Sequence, residues 1–425
     1  MTRRPRAVVV VTGSELVRGE RTDRNGPFLA AEALRHGLEP ARITIVGDNP
    51  AELEAAFREG LAADACLVSG GLGPTHDDRT VELLARAAGL ELVVDQALEG
   101  EIESISRAVA ERLRRPYADF SPGVTKQATR PAPAVSIGLA GTAPGLVFRA
   151  PSGCVVVVLP GPPGELRRLW PNALASEPVR ELLERTRPPG RRVLRLFGVS
   201  ESAVARALEE AGGDGDGVEA TICAREFEIH VDLVVEPGAD ERADRLETEL
   251  AQRLEKWLFG RDERRVEELV LALAEARGLR LATAESCTGG MVGARLTGVP
   301  GSSASFVGGV VAYADEVKRS ELDVPEELLA AHGAVSAEVA GAMAEGARRR
   351  LGADVAVSVT GVAGPGGGTP EKPVGRVHLH ASGPDGALAR TLDLPGEREQ
   401  IRVRATVTAL HLLRALLTGS RDEAA

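Results

Sequence analysis

Lysine is nearly missing from this chain of 425 residues: Lys126, Lys256, Lys318 and Lys372 stand against 47 arginines. Arginine stays protonated and forked, whereas a lysine is a point charge whose pKa falls readily on burial and can then accept a proton. Lys126, Lys318 and Lys372 lie in segments with the look of active-site loops, which points them toward chemistry; the alternative is that they are remnants of a biased composition. Lys256, beside Trp257, reads as surface. Aromatic residues are also scarce, at 3%, so the cores must be built from Ala, Val and Leu. Only four cysteines occur, Cys66, Cys154, Cys223 and Cys287, far apart and without a CxxC pair. That argues against a disulfide framework or a zinc site and fits reduced thiols. No excess of positive charge exists: the net charge of -11 excludes a general nucleic-acid or anionic-membrane binder, which needs a basic face. No apolar run approaches the roughly 18 residues of a membrane span. Met1-Thr2-Arg3-Arg4 leads straight into a strand, so no signal peptide is expected and the cytoplasm is the expected location.

What is present is globular: 43% apolar and 27% charged residues, enough length for two to four domains. The apolar run Ala7 to Val11 reads as a strand buried on both faces, and Asn25 is expected to cap a helix ending near Leu34. Ile43 to Val46, Ala65 to Val68 and Val155 to Leu159 read as further strands, with Pro50 opening a helix between the first two. This alternation predicts a parallel α/β sheet with ligands at its carboxyl edge. Arg187-Pro188-Pro189-Gly190 has the composition of a boundary. A small α+β unit follows, with a Gly-rich loop from Gly212 to Gly217 and little polar machinery; it reads as a spacer or assembly module. A third α/β block begins near Glu263. Its strands are expected at 280–284, 307–313, 354–359 and 375–381, with a helix capped by Ser336 and a last helix from about Glu397 to Leu417.

Chemistry-bearing residues fall at strand ends. In the first block Glu15, Asn25 and the run Gly70-Gly71-Leu72-Gly73-Pro74-Thr75-His76-Asp77-Asp78 are expected to converge. Gly71, Gly73 and Thr75 suit phosphate oxygens, and Glu15, Asp77 and Asp78 are hard ligands for Mg²⁺ or a similar divalent ion. The alternative for Asp77 and Asp78 is that they cap a helix starting at Arg79. In the third block Glu285-Ser286-Cys287-Thr288-Gly289-Gly290 sits where a strand hands over to a helix, a placement that exposes a nucleophile and aims N–H groups at an oxyanion. Ser286 is the expected nucleophile and Cys287 its rival, with Lys318 or Tyr313 handling the proton. Thr288, Gly289 and Gly290 would bind substrate. Thr360, Gly361, Gly364 and Lys372 form a second anion-cradling loop, and Arg402 and Arg404 are candidate phosphate contacts.

These motifs resemble the competence/damage-inducible CinA family along nearly the whole chain. Gly-Ser-Glu-Leu at Gly13, the Gly70 to Asp78 run, Gly141-Thr142-Ala143-Pro144-Gly145 and Leu159-Pro160-Gly161-Pro162-Pro163 are similar to its first domain. Ala284 to Gly290, Tyr313 with Lys318, His332-Gly333-Ala334-Val335-Ser336, Gly361 to Pro365 and Lys372 to Gly375 are similar to its last. Gly13-Ser14-Glu15 stands where Gly-Thr-Glu is usual, and the segment from Pro131 to Ala140 lacks the family's asparagine. The resemblance implies a molybdopterin-binding-like domain at 1–172 with metal-dependent ADP-ribose pyrophosphatase chemistry, a KH-like domain at 173–260, and a nicotinamide mononucleotide deamidase domain at 261–420. It puts Ser286, Tyr313 and Lys318 at catalytic positions and Arg402 at a substrate phosphate. Nicotinamide mononucleotide and ADP-ribose are the implied substrates, with no cofactor at the deamidase site, no nucleic acid or membrane partner, and a homodimer as the assembly. The rivals are a molybdopterin-nucleotide enzyme and a non-catalytic adaptor in DNA uptake.

Overall fold

A strand whose side chains are all apolar needs cover on both faces and on both edges. The computed structural model, which describes residues 4–419, gives Arg6–Thr12 that cover: it runs parallel between Glu39–Val46 and Ala65–Ser69, with Val9 opposite Ile43 and Leu67. The chain forms two units, Met1–Gly190 and Arg191–Ala425.

In the first unit six strands form one sheet, in the order Glu39–Val46, Arg6–Thr12, Ala65–Ser69, Val155–Leu159, Pro144–Arg149, Val135–Leu139. The first four are parallel; Pro144–Arg149 runs antiparallel to them, and Val135–Leu139, antiparallel to it in turn, closes one edge. Val135–Leu139 was hidden in a Pro-rich stretch, and an edge strand is where a sheet tolerates such composition. One face packs Val9, Val11, Leu67 and Val157 against Leu29 and Trp170; the other packs Val8, Val10, Val68 and Val156 against Phe57 and Leu83. The cores are thus aliphatic, as the aromatic scarcity required. Leu29 and Leu83 are fully buried, and cutting either to Ala should cost about 2–5 kcal/mol.

Two expectations are corrected here. Asn25 does not cap its helix: it lies inside the first turn of Asn25–Arg35, and the Asp23 carboxylate accepts from the N–H of Asn25 (2.8 Å) and Gly26 (3.1 Å). A break between 172 and 173 would cut the helix Pro163–Ala175, whose Trp170 and Ala173 share a core with Val179 and Leu182. The division falls instead after Gly190, at the Arg187-Pro188-Pro189-Gly190 stretch.

The second unit holds two sheets. The smaller orders Val218–Arg225, Glu228–Val235, Gly190–Phe197 and Leu258–Gly260, covered by Glu201–Glu210 and Asp240–Arg253. The larger orders Phe306–Val311, Leu281–Glu285, Val355–Gly361, Arg376–Gly383 and Gly386–Asp393, the first three parallel and the last two antiparallel. Ala337–Leu351 covers one face, its first turn capped by Ser336 Oγ accepting from Val339 N–H. Arg398–Thr418 and Val266–Ala276 cover the other. Among the described residues no helix is long and apolar enough to cross a membrane.

Candidate functional sites

The strand Arg6–Thr12 lies between its second and third strand neighbours, so the chain switches direction across it, and open α/β sheets bind ligands outside such a point. A cavity of about 620 Å³ opens there, lined by Thr12, Glu15, Asp23, Asn25, Ser69 and Gly161 among others. Asn25 is buried and holds the strand ends together: its Nδ2 donates to Ser69 Oγ (2.9 Å) and to the Gly161 carbonyl (2.7 Å). That tether, spanning residues far apart in sequence, explains why Asn25 sits inside the helix rather than at its cap.

Gly71 and Gly73 line a second, smaller cavity of about 200 Å³ with Asp78, Lys126 and Gln127. Gly71 has φ +64°, and a side chain there would strike the Thr80 hydroxyl; a side chain at Gly73 would strike the Asp78 carboxylate. Thr12 and Thr80 bury hydroxyls beside Gly71, neither with a protein partner among the described residues. Asp77 and Asp78 do not cap the next helix, which begins at Thr80 with no side-chain cap. Both fold back on Thr75, whose hydroxyl donates to them and whose N–H donates to Asp78 (3.0 Å). The Thr75 hydroxyl and the aspartate's own N–H hold the Asp77 carboxyl below its ordinary value. Lys126 reaches the Thr75 carbonyl. The expected three-carboxylate set is not assembled. Glu15 folds back over Gly13 in the large cavity, and among the described residues no cluster of three His, Cys, Asp or Glu is placed to hold one metal.

In the second unit Ser286, Tyr313 and Thr360 come from the ends of three adjacent parallel strands. Glu285 pairs with Val311 on one side and Val359 on the other, and Ser286 N–H donates to the Val359 carbonyl (2.8 Å). The Ser286 side chain takes no protein hydrogen bond among the described residues and is nearly buried, at 8% exposure. Cys287 is a poor rival: burial pushes its thiol up to about 11, so the reactive thiolate is scarce near neutrality.

Glu285 was not singled out from sequence, and it organises the turn. Buried at the foot of the helix Met291–Thr297, it accepts from the N–H groups of Gly290 (3.0 Å), Val292 (3.0 Å) and Gly293 (2.8 Å). A carboxylate at a helix N-terminus satisfies orphan donors and complements the helix dipole. This corrects the oxyanion assignment. Gly290 N–H belongs to Glu285 and Gly289 N–H to the Ser286 carbonyl (3.0 Å), while among the described residues no backbone carbonyl accepts from the N–H groups of Cys287 and Thr288. Those last two are the donors of the turn that remain for an oxyanion.

Arg402 grips the same turn from the final helix, Nε to the Cys287 carbonyl (3.1 Å) and Nη2 to that of Thr288 (2.8 Å). Two of its donors are therefore spent on backbone. Arg404 lies elsewhere, toward the Pro395 carbonyl. Lys318 is buried at 1% exposure, and its Nζ donates to the Tyr313 carbonyl (3.1 Å) and Asp315 (3.3 Å). Tyr313 is 60% exposed, its hydroxyl accepting from Arg398 (3.1 Å), which also donates to the Gly364 carbonyl (2.6 Å). Arg398 was missed because arginine is too common here for one of them to stand out. Thr360 donates to the Ala334 carbonyl (2.7 Å), and Lys372 reaches the His332 carbonyl (2.5 Å). Both thus tie the Gly361 loop to the segment before Ser336.

The family model of the CinA C-terminal domain matches residues 263–417, that of a probable molybdopterin binding domain residues 8–179, and that of the damage-inducible protein CinA KH domain residues 191–260. Among solved structures, the competence/damage inducible protein CihA from Agrobacterium tumefaciens is 44% identical, covering 36% of this chain and 94% of its own, with a TM-score of 0.35. A CinA-like protein of Mycolicibacterium paratuberculosis is 44% identical over 98% of this chain and 99% of its own length. One from Mycobacterium sp. strain MCS is 45% identical over 97% and 99%. The chain belongs to the CinA family, with a molybdopterin-binding-like first domain, a KH-like domain and a CinA C-terminal domain.

Proposed function

We propose that the C-terminal domain hydrolyses the carboxamide of nicotinamide mononucleotide, giving nicotinic acid mononucleotide and ammonia. The observation that carries this reading is Ser286 itself. Among the described residues its hydroxyl has no protein partner, and it stands on a turn fixed by Glu285 and Arg402, with Tyr313 and Lys318 entering from the neighbouring strand end. Ser286 Oγ adds to the amide carbon as its proton passes to the Lys318–Tyr313 pair. The Cys287 and Thr288 N–H groups receive the oxyanion, each donor worth about 3–4 kcal/mol in comparable hydrolases. The C–N bond then breaks, the held proton leaves with ammonia, and water cleaves the acyl-serine to the acid. The Gly361 to Lys372 loop would hold the nucleotide phosphate.

The first domain is proposed to split the diphosphate of ADP-ribose. The buried hydroxyls of Thr12 and Thr80 beside Gly71, without a partner among the described residues, support a polar ligand at that edge. A divalent ion belongs to this reading. Asp77 and Asp78 meet at one hydroxyl, and Mg²⁺ is usually held by one or two carboxylates plus substrate phosphate, so these two fit it without Glu15. When bound, such an ion would neutralise charge developing on the diphosphate. Ammonia release from nicotinamide mononucleotide by the full chain tests the main reading. A DNA-uptake adaptor would release none, and a pterin-nucleotide enzyme would show activity only in the first unit.

A further inference from the structure

We infer that the second unit carries another small-molecule site, apart from the Ser286 turn, for a planar aromatic anion of one or two rings. A cavity of about 230 Å³ lies between the turn joining Val218–Arg225 to Glu228–Val235, the strand Gly386–Asp393 and the later half of Arg398–Thr418. Phe197, Phe227, Leu392, His411, Leu412 and Ala415 supply its walls. Drug-sized ligands occupy roughly 300–1,000 Å³, so the occupant here is smaller.

Three independent observations mark it as a site rather than a packing gap. The first is backbone strain. Glu226 and Phe227 have φ of +47° and +73°, where a two-residue hairpin turn ordinarily carries Asn and Gly. Glu226 is pinned by Arg295, and Phe227 lies edge-on to Phe197 (5.9 Å between centroids) with the Arg404 guanidinium 5.4 Å from its ring, yet Phe227 remains 43% exposed. The second is His411, stacked on Phe197 at 3.8 Å with Nε2 on the Glu228 carboxylate (2.8 Å). A carboxylate only accepts, so Nε2 carries the hydrogen and the ring is held flat against Phe197 as a wall of the cavity. The third is charge. Arg390 and Arg414 line the cavity and Arg404 borders it, three guanidinium groups against one lining carboxylate, Asp393. Aromatic walls under guanidinium groups select a flat anion.

The helix that forms one wall also holds the Ser286 turn through Arg402 and the Tyr313 hydroxyl through Arg398. Occupancy is therefore felt at the proposed amidase site; this coupling, unlike the binding itself, rests on the Ser286 reading.

Naphthalene-2-sulfonate, titrated into the full chain and followed by fluorescence and calorimetry, tests the site. Saturable binding at one site per chain is expected. Ala415→Trp, which fills the cavity, and Phe227→Ala, which removes a wall, should each weaken it at least tenfold with the thermal midpoint unchanged. If Ala415→Trp does not fold, Phe227→Ala alone decides. No saturable binding to the native chain, or undiminished binding in the folded variants, overturns the site. A change in kcat for ammonia release at saturating probe, lost in Ala415→Trp, supports the coupling; unchanged kcat with binding intact overturns the coupling. Because binding is read without turnover, a chain that releases no ammonia still shows whether the cavity takes the probe.

Discussion

Glu285 fixes the conformation that makes Ser286 available, because three N–H groups of the following helix converge on one buried carboxylate. Removing it leaves those donors unsatisfied, that of Val292 in a buried place. Glu285→Ala should lower unfolding stability by about 3 kcal/mol, read by urea denaturation, and cut ammonia release with it. Stability within about 0.5 kcal/mol of the parent would mean the turn is held by other contacts. Lys318 poses the sharper question. If it takes the Ser286 proton, Lys318→Arg should be nearly as damaging to kcat as Lys318→Ala, since a guanidinium cannot accept a proton near neutrality. If the phenol moves the proton, with Arg398 steadying it, Tyr313→Phe should be the severe change and Lys318→Arg should mostly raise KM. The identities of Ser286, Tyr313 and Lys318 were readable as motif residues. The partners of Lys318 were not, because Tyr313 offers its backbone carbonyl, and any residue carries one.

At the scale of elements, apolar runs such as Val155 to Leu159 announced themselves, and so did the last helix. The strand Gly386–Asp393 did not. It is an edge strand whose inward face carries only Leu388 and Leu392, half-buried with Arg390 between them, so its hydrophobic period is too weak to detect. The packing of the last helix on the smaller sheet was equally hidden, since it rests on a few long-range contacts of one histidine, with the rings of Phe197 and Phe259 and with Glu228. Glu228 meets both His411 (2.8 Å) and His230 (3.2 Å). Burial opposes its charge, but the hydrogen bonds from both histidines win and bring its carboxyl down to about 2 from 4.5. Burial brings His411 down to about 4 from 6.5, the Glu228 contact opposing. Below pH 6.5 the unfolded chain takes up a proton at His411 that the folded chain refuses until about pH 4. Stability is therefore complete above 6.5 and falls between 6.5 and 4, by about 3 kcal/mol from this group. The Glu228 contribution is lost further down, between 4.5 and 2. His411→Gln keeps a donor for Glu228 but does not titrate. Denaturation midpoints across pH 7 to 4 should fall less steeply in it than in the parent. Parallel slopes would contradict the assignment.

On the scale of the whole molecule, the two proposed activities reside in separate units that share no residue. Asp77→Ala or Asp78→Ala should therefore abolish metal-dependent ADP-ribose hydrolysis and leave ammonia release unchanged, each measured on the full chain. Loss of both activities in a variant with unchanged circular dichroism would contradict the partition. The three-part organisation was legible from motif order alone. The separation of Glu15 from Asp77 and Asp78 was not, because sharing a sheet edge does not fix which cavity each loop lines. The central claim is that Ser286, and not the adjacent thiol, carries the chemistry of the C-terminal domain. Ammonia release from nicotinamide mononucleotide by Ser286→Ala and Cys287→Ala, compared with the parent chain, tests it most directly. The account predicts a loss of at least about a thousandfold in kcat for Ser286→Ala and activity within a few fold of the parent for Cys287→Ala; a silent Cys287→Ala beside an active Ser286→Ala would contradict it.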